Sequence, residues 1–394
     1  MLCVVVRCVC TAGCLLAAGT AVGAPPAAPM PVFDRASGSP PSVSVAPADS
    51  HGAGDGRVST ASCESGCDTA RGGACGNGRS GGCLPPKAAA WLAGGQFFND
   101  RGRPIFFRRE GRGPTLLVIH GFPTSSYDYA EMWPALTARF DVIAVDLLGS
   151  GFSDKPFPYD YSVLEQANIL ERFTTALGVD RAHVLAHDYG GTVTQELLAR
   201  QNEGRSSLCL ESVTFLNGGL FIQAQCLTPI HYLFDSPLGV PVGALTCEPA
   251  FKCITKSFMG QAAKAGAVDL DGMWAILNYN RGQRVLHGII QYLDERKQFE
   301  RRWTAALAHA RCPLAYVYGA EDKVSGDTIA RRFSEVVPHA PVVRMCGVEH
   351  YPHTEAPART AAIFHALHDG WGAPPAGAPA ADRSDVPPPA PAPR

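Results

Sequence analysis

Residues 182–191 read Ala-His-Val-Leu-Ala-His-Asp-Tyr-Gly-Gly, and this stretch decides the fold. A short apolar run (Val184, Leu185) ends at small residues, and a helical pattern of apolar residues follows from Val193. Strand, sharp turn and helix together have the small-x-nucleophile-x-small form of a nucleophile elbow. Small residues flank the turn because strand and helix pack closely against a strained backbone. The usual residue at the turn is serine, and this chain has Asp188.

An aspartate at the turn predicts a different chemistry from a serine. A serine needs a neighbouring base and attacks a carbonyl of the substrate, whereas an aspartate is already ionised near pH 7. It can attack an electrophilic saturated carbon directly, which forms an ester whose carbonyl belongs to the enzyme. Water must then cleave that ester. Asp188 therefore favours alkyl electrophiles such as epoxides and haloalkanes. Taken without partners, the same stretch would also fit a plain strand–turn–helix junction with a polar tip.

From about residue 89 the chain alternates strand-like and helix-like segments. The pattern predicts strands at 104–109, 115–120, 142–146, 182–187, 212–216, 314–318 and 341–345, and helices at 125–139, 162–177, 189–200, 327–336 and 360–368. This alternation favours βαβ units, an α/β fold and a largely parallel sheet covered on both faces. Residues 218–305 break the rhythm, and we predict that they form a helical cap over the active site.

Three further polar motifs follow predicted strands. His120-Gly121-Phe122-Pro123 ends one strand, so we expect the backbone N–H groups of Phe122 and Tyr189 to converge as an oxyanion hole. Asp322 and His350 follow two later strands, in the order nucleophile, acid, histidine that hydrolases of this kind use. His350 would activate water towards the Asp188 ester, and Asp322 would orient its ring. Glu321 and Glu349 are competing acids, and His353 is a competing base.

Composition excludes several classes of function. The 394 residues carry a formal net charge of −2, which gives no basic surface, so we do not expect nucleic acid as a partner. The expected partner is a hydrophobic small molecule, for which the apolar residues of the predicted cap give the reason. The four cysteines at 63, 67, 75 and 83 lack the paired spacing of zinc modules, and we expect neither a metal nor a cofactor. The six cysteines after residue 84 are predicted to be small core residues.

The two ends of the chain differ from the rest. Residues 1–24 hold an apolar run behind one arginine, which predicts a secretory signal or an anchor. We therefore expect membrane association through this segment and a location in the secretory pathway or endoplasmic reticulum membrane. Targeting to another organelle is the alternative. Residues 25–88 and 372–394 are rich in Ala, Pro, Gly and Ser and are predicted to be disordered. Between them we expect a core formed by 89–217 and 306–371, with 218–305 as the cap.

The motifs resemble the α/β-hydrolase family that contains epoxide hydrolases and haloalkane dehalogenases, from about Trp91 to Pro357. The resemblance is carried by the runs 120–126 (His-Gly-Phe-Pro-Thr-Ser-Ser), 149–156 (Gly-Ser-Gly-Phe-Ser-Asp-Lys-Pro) and 187–190 (His-Asp-Tyr-Gly). It implies the α/β-hydrolase fold, with a mostly parallel sheet of about eight strands, helices on both faces and an inserted helical cap.

The resemblance also implies roles for single residues. Asp188 would be the nucleophile, Asp322 the acid, His350 the base, and Phe122 and Tyr189 the residues of the oxyanion hole.

In epoxide hydrolases, cap tyrosines donate to the epoxide oxygen. Tyr292 is the best match, and Tyr232 and Tyr279 are both candidates for a second donor. Two departures disfavour a dehalogenase: Tyr189 stands where Trp is usual, and Phe122 where an Asn often binds halide.

We therefore predict an epoxide-hydrolase-like enzyme that acts through a covalent alkyl-aspartate ester on a hydrophobic substrate. One alternative is a haloalkane dehalogenase, or a lipid-directed hydrolase or acyltransferase of the same fold. An alternative of another class is a catalytically idle hydrolase fold that serves as a binding protein. The apolar cap residues that favour a hydrophobic substrate are Phe221, Ile222, Leu233, Phe234, Trp274 and Ile276. The charged run Arg296–Arg302 is predicted to be a solvated helix face.

Overall fold

The computed structural model describes residues 84–372 and the two-residue strand Val58–Ser59. The predicted signal or anchor, the four cysteines at 63–83 and the tail after residue 372 lie outside the described residues. Within the described part, no helix has both the length and the apolar character needed to cross a bilayer.

A single sheet forms the centre of the molecule. Its strands are β1 (Val58–Ser59), β2 (Gln96–Asp100), β3 (Arg103–Gly111), β4 (Thr115–Ile119), β5 (Asp141–Val145), β6 (Arg181–His187), β7 (Cys209–Leu216), β8 (Leu314–Gly319) and β9 (Val342–Met345). They lie in the order β1-β2-β3-β5-β4-β6-β7-β8-β9. Neighbouring strands in the part β5-β4-β6-β7-β8-β9 pair in parallel. The pairs β1-β2, β2-β3 and β3-β5 are antiparallel. Strands β2–β9 confirm the expected eight-stranded, mostly parallel sheet.

Helices cover the sheet and fill the insertion. The first part of the core holds α1 (Pro86–Ala93), α2 (Trp133–Thr137), α3 (Val163–Ala176) and α4 (Tyr189–Asn202). Between β7 and β8 lie α5 (Pro229–Asp235), α6 (Gly239–Ala244), α7 (Glu248–Phe258), α8 (Gly260–Lys264), α9 (Leu270–Asn278), α10 (Leu286–Ile290), α11 (Tyr292–Gln298) and α12 (Glu300–Ala308). The chain continues with α13 (Asp327–Val336), α14 (Pro352–Glu355) and α15 (Pro357–Gly372). We call residues 217–313 the inserted segment.

The strand ends place the predicted functional residues on one edge of the sheet. β4 lies between β5 and β6, with Leu117 paired to both Ile143 and Val184. These central strands are buried on both faces, which explains why they are continuous apolar runs without alternation. Because the strands from β4 to β9 run parallel, the residues that follow β4, β6, β8 and β9 meet at the same edge.

Two local predictions differ from the structure. The single helix predicted at 125–139 is a 3-10 turn, Ser126–Tyr129, followed by the short helix α2. Pro134 explains the break, since proline is accommodated only in the first turn of a helix. The low-complexity segment was predicted to reach residue 88, but α1 begins at Pro86 and is anchored by the buried Trp91. β1 also lies within that segment and pairs with β2 through its backbone.

The prediction that the later cysteines are core residues is wrong for Cys209, Cys226 and Cys346, which are exposed. Cys247, Cys253 and Cys312 are half-buried, and Cys312 packs against the hydrophobic core. The core is built from aliphatic and aromatic side chains of the sheet and its helices, so these small side chains are left at its margin.

Candidate active site

The turn at Asp188 is a strained strand-to-helix junction. Asp188 has φ 43° and ψ −106°, a left-handed region that non-glycine residues rarely occupy. Its backbone N–H donates to the carbonyl oxygen of Asn217 at 2.9 Å. A Cβ at Gly190 would lie 2.6 Å from the carbonyl oxygens of both Ile119 and His120. The small residue after the turn is therefore required by the close approach of the β4 backbone, as the elbow motif predicts.

The carboxylate of Asp188 is held from two sides. Its Oδ2 accepts the backbone N–H of Phe122 at 3.2 Å, and its Oδ1 lies 3.4 Å from Nη2 of Arg296. Burial by itself would raise the pKa of Asp188, but the charge of Arg296, followed by those of His350 and His187, outweighs burial and lowers the pKa below its usual range. The side chain is therefore an anion at neutral pH.

His350 and Asp322 form a buried pair. Nδ1 of His350 lies 2.8 Å from Oδ2 of Asp322. Burial lowers the pKa of His350, but the charge and hydrogen bond of Asp322 outweigh it, with a contribution from Asp188, and raise the pKa to about 9. For Asp322, burial raises the pKa, and the charge and hydrogen bond of His350 outweigh this and hold the pKa far below its usual range.

The competing residues are placed elsewhere. Glu321 is exposed, and the backbone N–H of Glu349 donates to Glu355, while Nδ1 of His350 is bound by Asp322. His353 is fully buried and stacks on the ring of Tyr129, with 4.5 Å between ring centroids. Of the two candidate bases, only His350 lines the cavity at Asp188.

Two residues that were not predicted from the sequence also bind the carboxylate of Asp322. Asn217 Nδ2 and Ser325 Oγ each donate to Oδ2 of Asp322 at 2.6 Å, and the N–H of Val324 donates to Oδ1 at 2.8 Å. These three donors stabilise the ionised form of Asp322, whose Oδ2 also binds Nδ1 of His350. Asn217 directly follows β7, so its place at a strand end was a usable signal.

The prediction that Arg296 belongs to a solvated helix face is wrong. Arg296 lies on α11 and is only 2% exposed. Its Nε donates to Thr192 Oγ1 at 2.8 Å and its Nη1 to Gln225 Oε1 at 2.9 Å, while Nη2 reaches Asp188. Its guanidinium also lies over the ring of Tyr292, at 4.6 Å from the centroid. The reason is tertiary: α11 packs onto the elbow, so this charge points inward.

A cavity opens above Asp188 between the sheet edge and the inserted segment. It has a volume of about 760 Å³, counted out to its open mouth. Its walls are mainly apolar, with a few polar side chains around Asp188. It is lined by Phe122, Pro123, Asp188, Gln225, Ile230, His231, Phe234, Thr246, Phe251, Ile254, Thr255, Phe258, Leu286, Ile290, Tyr292, Val324, His350 and Tyr351. Of the six apolar residues that suggested a hydrophobic site, only Phe234 lines it.

Tyr292 is the predicted substrate-binding residue, and it lines this cavity. It is buried, and its ring centroid lies 4.7 Å from that of Tyr189 and 6.1 Å from that of Phe122. Tyr189 is the first residue of α4, so its backbone N–H is among those that a helix leaves unpaired at its N-terminus.

Neither candidate for a second cavity tyrosine is placed there. Tyr232 is 60% exposed, and Tyr279 packs on Phe152 away from Asp188. Tyr351 lines the cavity instead, with its hydroxyl donating to the carbonyl of Phe122 at 3.2 Å. The sequence pattern could not show which tyrosines line the cavity. Tyr232 and Tyr279 lie in short helical segments of the inserted segment, whose buried faces are set by packing, and Tyr351 follows β9.

One cluster behind the nucleophile has the composition of a metal site. Potential ligand atoms of Asp128, His187 and His353 lie within 4.8 Å of one another. Nε2 of His187 donates to the carbonyl of His350 at 2.9 Å, so its Nδ1 keeps the lone pair, which has no hydrogen-bond partner among the described residues. We assign His187 the role of holding the backbone of His350.

Comparison with known proteins gives concordant results. Residues 114–219, which hold β4 and the elbow, match the family model described as alpha/beta hydrolase fold. The mesoderm-specific transcript protein of Mus musculus is 36% identical over 287 residues, which cover 70% of this chain and 85% of that protein. LipZ of Mycobacterium tuberculosis, a protein named as a hydrolase, is 36% identical over 273 residues, or 69% of this chain and 94% of that protein.

The likeness to the mesoderm-specific transcript protein is also visible in short motifs of the sequence. They include the runs 91–93, 120–127 and 153–156, the elbow with 195–198, and 291–303 in the inserted segment.

Among solved structures, the epoxide hydrolase CorEH superimposes with a TM-score of 0.58 at 20% identity, over 70% of this chain and 98% of that chain. At this identity the likeness concerns the fold alone.

Proposed function

Because the chain belongs to the α/β-hydrolase family, we propose that it is an epoxide-hydrolase-like enzyme that forms a covalent ester on Asp188. The observation that carries the proposal is the ionised carboxylate of Asp188 at the floor of an apolar cavity, with His350 and Tyr292 in the same walls. A carboxylate in this setting attacks saturated carbon, whereas an ordinary ester calls for a hydroxyl or thiol nucleophile. The substrate is a hydrophobic small molecule, which the apolar walls favour.

In the first half-reaction, Oδ1 of Asp188 attacks an epoxide carbon and the carbon–oxygen bond of the ring breaks. The N–H of Phe122 holds Oδ2 at 3.2 Å, whereas Oδ1 has only the longer 3.4 Å contact with Arg296, so we take Oδ1 as the attacking oxygen. Tyr292 donates its hydroxyl proton to the departing epoxide oxygen, which becomes an alcohol. The products of this step are an alkyl ester on Asp188 and a tyrosinate at position 292.

The tyrosinate must be reprotonated at once. Burial, together with the charge of Asp188, raises the pKa of Tyr292 well above its usual value, so its anion is strongly disfavoured. His350 has a pKa of about 9 and is an imidazolium at neutral pH in the free enzyme. It supplies the proton through the shared cavity. This transfer leaves a neutral imidazole, which is the base that the next half-reaction needs.

In the second half-reaction, His350 takes a proton from water as the water oxygen attacks Cγ of Asp188. The negative charge of the tetrahedral intermediate falls on Oδ2, where the N–H groups of Phe122 and Tyr189 stabilise it. Collapse breaks the Cγ–Oδ1 bond, and Oδ1 leaves as the second hydroxyl of a diol. One water proton ends on the diol and the other on His350, so the cycle returns to its starting charges.

A haloalkane dehalogenase of the same fold is the main rival. It would need N–H side-chain donors for the leaving halide, and this chain has Phe122 and Tyr189 at the two positions where such donors stand in the family. A binding protein without activity is the rival of another class. The paired acid and histidine beside the carboxylate argue for chemistry over binding alone.

The test is to make His350→Gln and incubate the full chain separately with a panel of small epoxides and a panel of haloalkanes. Removing His350 should stall hydrolysis. It should slow alkylation without abolishing it, because the proton for Tyr292 then comes from water, so the ester accumulates. We expect an adduct with the full mass of the epoxide, located on Asp188 by peptide mapping after intact-mass measurement.

Two variants serve as controls. Asp188→Ala should form no adduct, and His231→Gln, which removes the other imidazole in the cavity, should not accumulate the ester. A haloalkane adduct that lacks the halogen would favour the dehalogenase. Absence of an adduct from both panels would contradict the alkyl-ester mechanism.

A further inference from the structure

Arg296 brings a buried positive charge from the inserted segment to the back of the nucleophile. Its guanidinium is bound by Thr192 of α4 and by Gln225, and Nη2 lies 3.3 Å from the carbonyl oxygen of Asp188 and 3.4 Å from its Oδ1. Arg296 does not line the cavity, so it contacts the nucleophile and not the substrate. Since arginine is not deprotonated in proteins, its effect is electrostatic.

Asp188 is the counter-charge of this guanidinium. Among the residues that the structure describes, it is the only acidic side chain within 4.0 Å of Arg296. The adjacent Glu295 is engaged elsewhere and accepts from Ser162 Oγ at 2.7 Å and from the N–H of Val163 at 2.6 Å. The remaining acceptors around Arg296 are neutral oxygens.

Esterification removes this counter-charge. Once Asp188 carries an alkyl group, Arg296 is a buried cation without an anionic partner, which is a costly state. Hydrolysis reverses the loss, because negative charge returns to the carboxyl group as the tetrahedral intermediate forms. In the collapse of that intermediate, charge also develops on the departing Oδ1, the oxygen that Nη2 faces.

We propose that Arg296 sets the balance of the two half-reactions: it opposes formation of the Asp188 ester and accelerates its hydrolysis. The inference rests on the proposed alkyl-ester mechanism and adds to it a residue from the inserted segment. The enzyme therefore clears its covalent intermediate quickly and does not accumulate it. Turnover also depends on the placement of α11, because that helix carries Arg296.

The experiment compares the wild-type chain with Arg296→Met and Arg296→Lys, with His350 intact. Single turnovers with an epoxide that alkylates the His350→Gln variant are quenched at intervals and read by intact mass, which gives separate rates for alkylation and hydrolysis. We expect Arg296→Met to slow hydrolysis by about 10²-fold, in the range for loss of one stabilising donor, without a matching loss in alkylation. The ester then becomes visible during turnover. Arg296→Lys, which keeps the charge, should recover part of the rate.

Arg301→Met is the matched control. Arg301 lies on α12 and is exposed, so this variant should not accumulate ester. The pH dependence of alkylation provides a second readout. Without the Arg296 charge the pKa of Asp188 rises, so the acid limb should move to higher pH in Arg296→Met and not in Arg301→Met.

Each outcome decides a separate question. If Arg296→Met slows both half-reactions by the same factor and leaves the acid limb in place, Arg296 is only structural and the inference is wrong. If Arg296→Met does not fold, Arg296→Gln, which also removes the charge, takes its place, and an unchanged ratio of the two rates in that variant would overturn the inference equally. If the His350→Gln variant forms no adduct with any epoxide, it is the proposed function that fails.

Discussion

At the scale of single residues, the proposed chemistry depends on the charges of Asp188 and His350. Asp188 has its pKa lowered mainly by Arg296, whereas His350 has its pKa raised mainly by Asp322. In the proposed mechanism, esterification removes the charge of Asp188 and leaves His350 as a neutral base. The side chains that hold this arrangement are neutral donors and acceptors, such as Asn217 and Ser325, which orient the carboxylate of Asp322 without competing for protons.

The pair of His350 and Asp322 predicts a pH-dependent stability. The folded-state pKa of His350, about 9, lies above the ordinary value of 6.5, so the stabilisation is fully present below pH 6.5 and is lost as pH rises to 9. Asp322→Asn should remove it. We expect the wild type to exceed this variant in free energy of unfolding by about 3 kcal/mol more at pH 6.5 than at pH 9, measured by urea unfolding. Parallel pH curves for the two proteins would contradict the coupling.

At the scale of elements, the elbow is the most constrained part of the chain. β6 ends at His187 and α4 begins at Tyr189, so a single residue makes the turn. Gly190 allows α4 to approach the end of β4, and Gly121 allows the following loop to approach His187 and Asp188. Placement of the Phe122 N–H at Oδ2 of Asp188 depends on both contacts.

Gly190→Ala should therefore cost more than an ordinary glycine substitution. The added methyl group would meet two backbone carbonyl oxygens, which cannot move away as a flexible side chain would. We expect a loss of about 3 kcal/mol in the free energy of unfolding, measured by urea denaturation. Gly370→Ala is the control, because nothing lies within 4 Å of its added methyl group, and it should stay within about 0.5 kcal/mol of the wild type. Equal effects of the two substitutions would show that the elbow tolerates a larger residue.

At the scale of the whole molecule, a buried ionic network joins the inserted segment to the core. Glu196 on α4 accepts from Arg302 and Trp303 of α12 and from Arg200 of its own helix. Its side chain is only 3% exposed. Because the network joins α4 of the core to α12 of the inserted segment, it holds the inserted segment above the sheet edge, where α11 contacts Asp188.

Glu196→Gln should weaken this connection. The substitution leaves the buried guanidinium of Arg200 and the half-buried one of Arg302 with fewer acidic partners, and we expect a loss of roughly 2–4 kcal/mol in the free energy of unfolding. Glu203→Gln is the matched control, since Glu203 also binds Arg302 but is 38% exposed, and it should cost less than about 1 kcal/mol. Urea unfolding followed by circular dichroism measures both. A cost of Glu196→Gln no greater than that of the control would mean that the network does not hold the two parts together.

The sequence by itself determined the sheet, the elbow and the identity of the residues at the strand ends. Asp188, Asp322 and His350 could be predicted to lie together because each follows a short apolar strand, and a parallel sheet brings such positions to one edge regardless of the details of packing. The same reasoning separated His350 from His353, which lies further along towards the last helices. The local sequence pattern is sufficient to predict these positions, because alternating strands and helices form a parallel sheet whose strands end at a common edge.

Only the tertiary structure decided the surroundings of these residues. Tyr351, which follows β9 in the core, lines the cavity beside Tyr292. Arg296 was expected in solvent and lies against Asp188, whereas Tyr232 and Tyr279 do not line the cavity. The positions of these three residues depend on how short helices of the inserted segment pack across the sheet edge. The periodicity of a helix of five to eleven residues shows that it has two faces, but the choice of the buried face is made by contacts with residues far away in the chain.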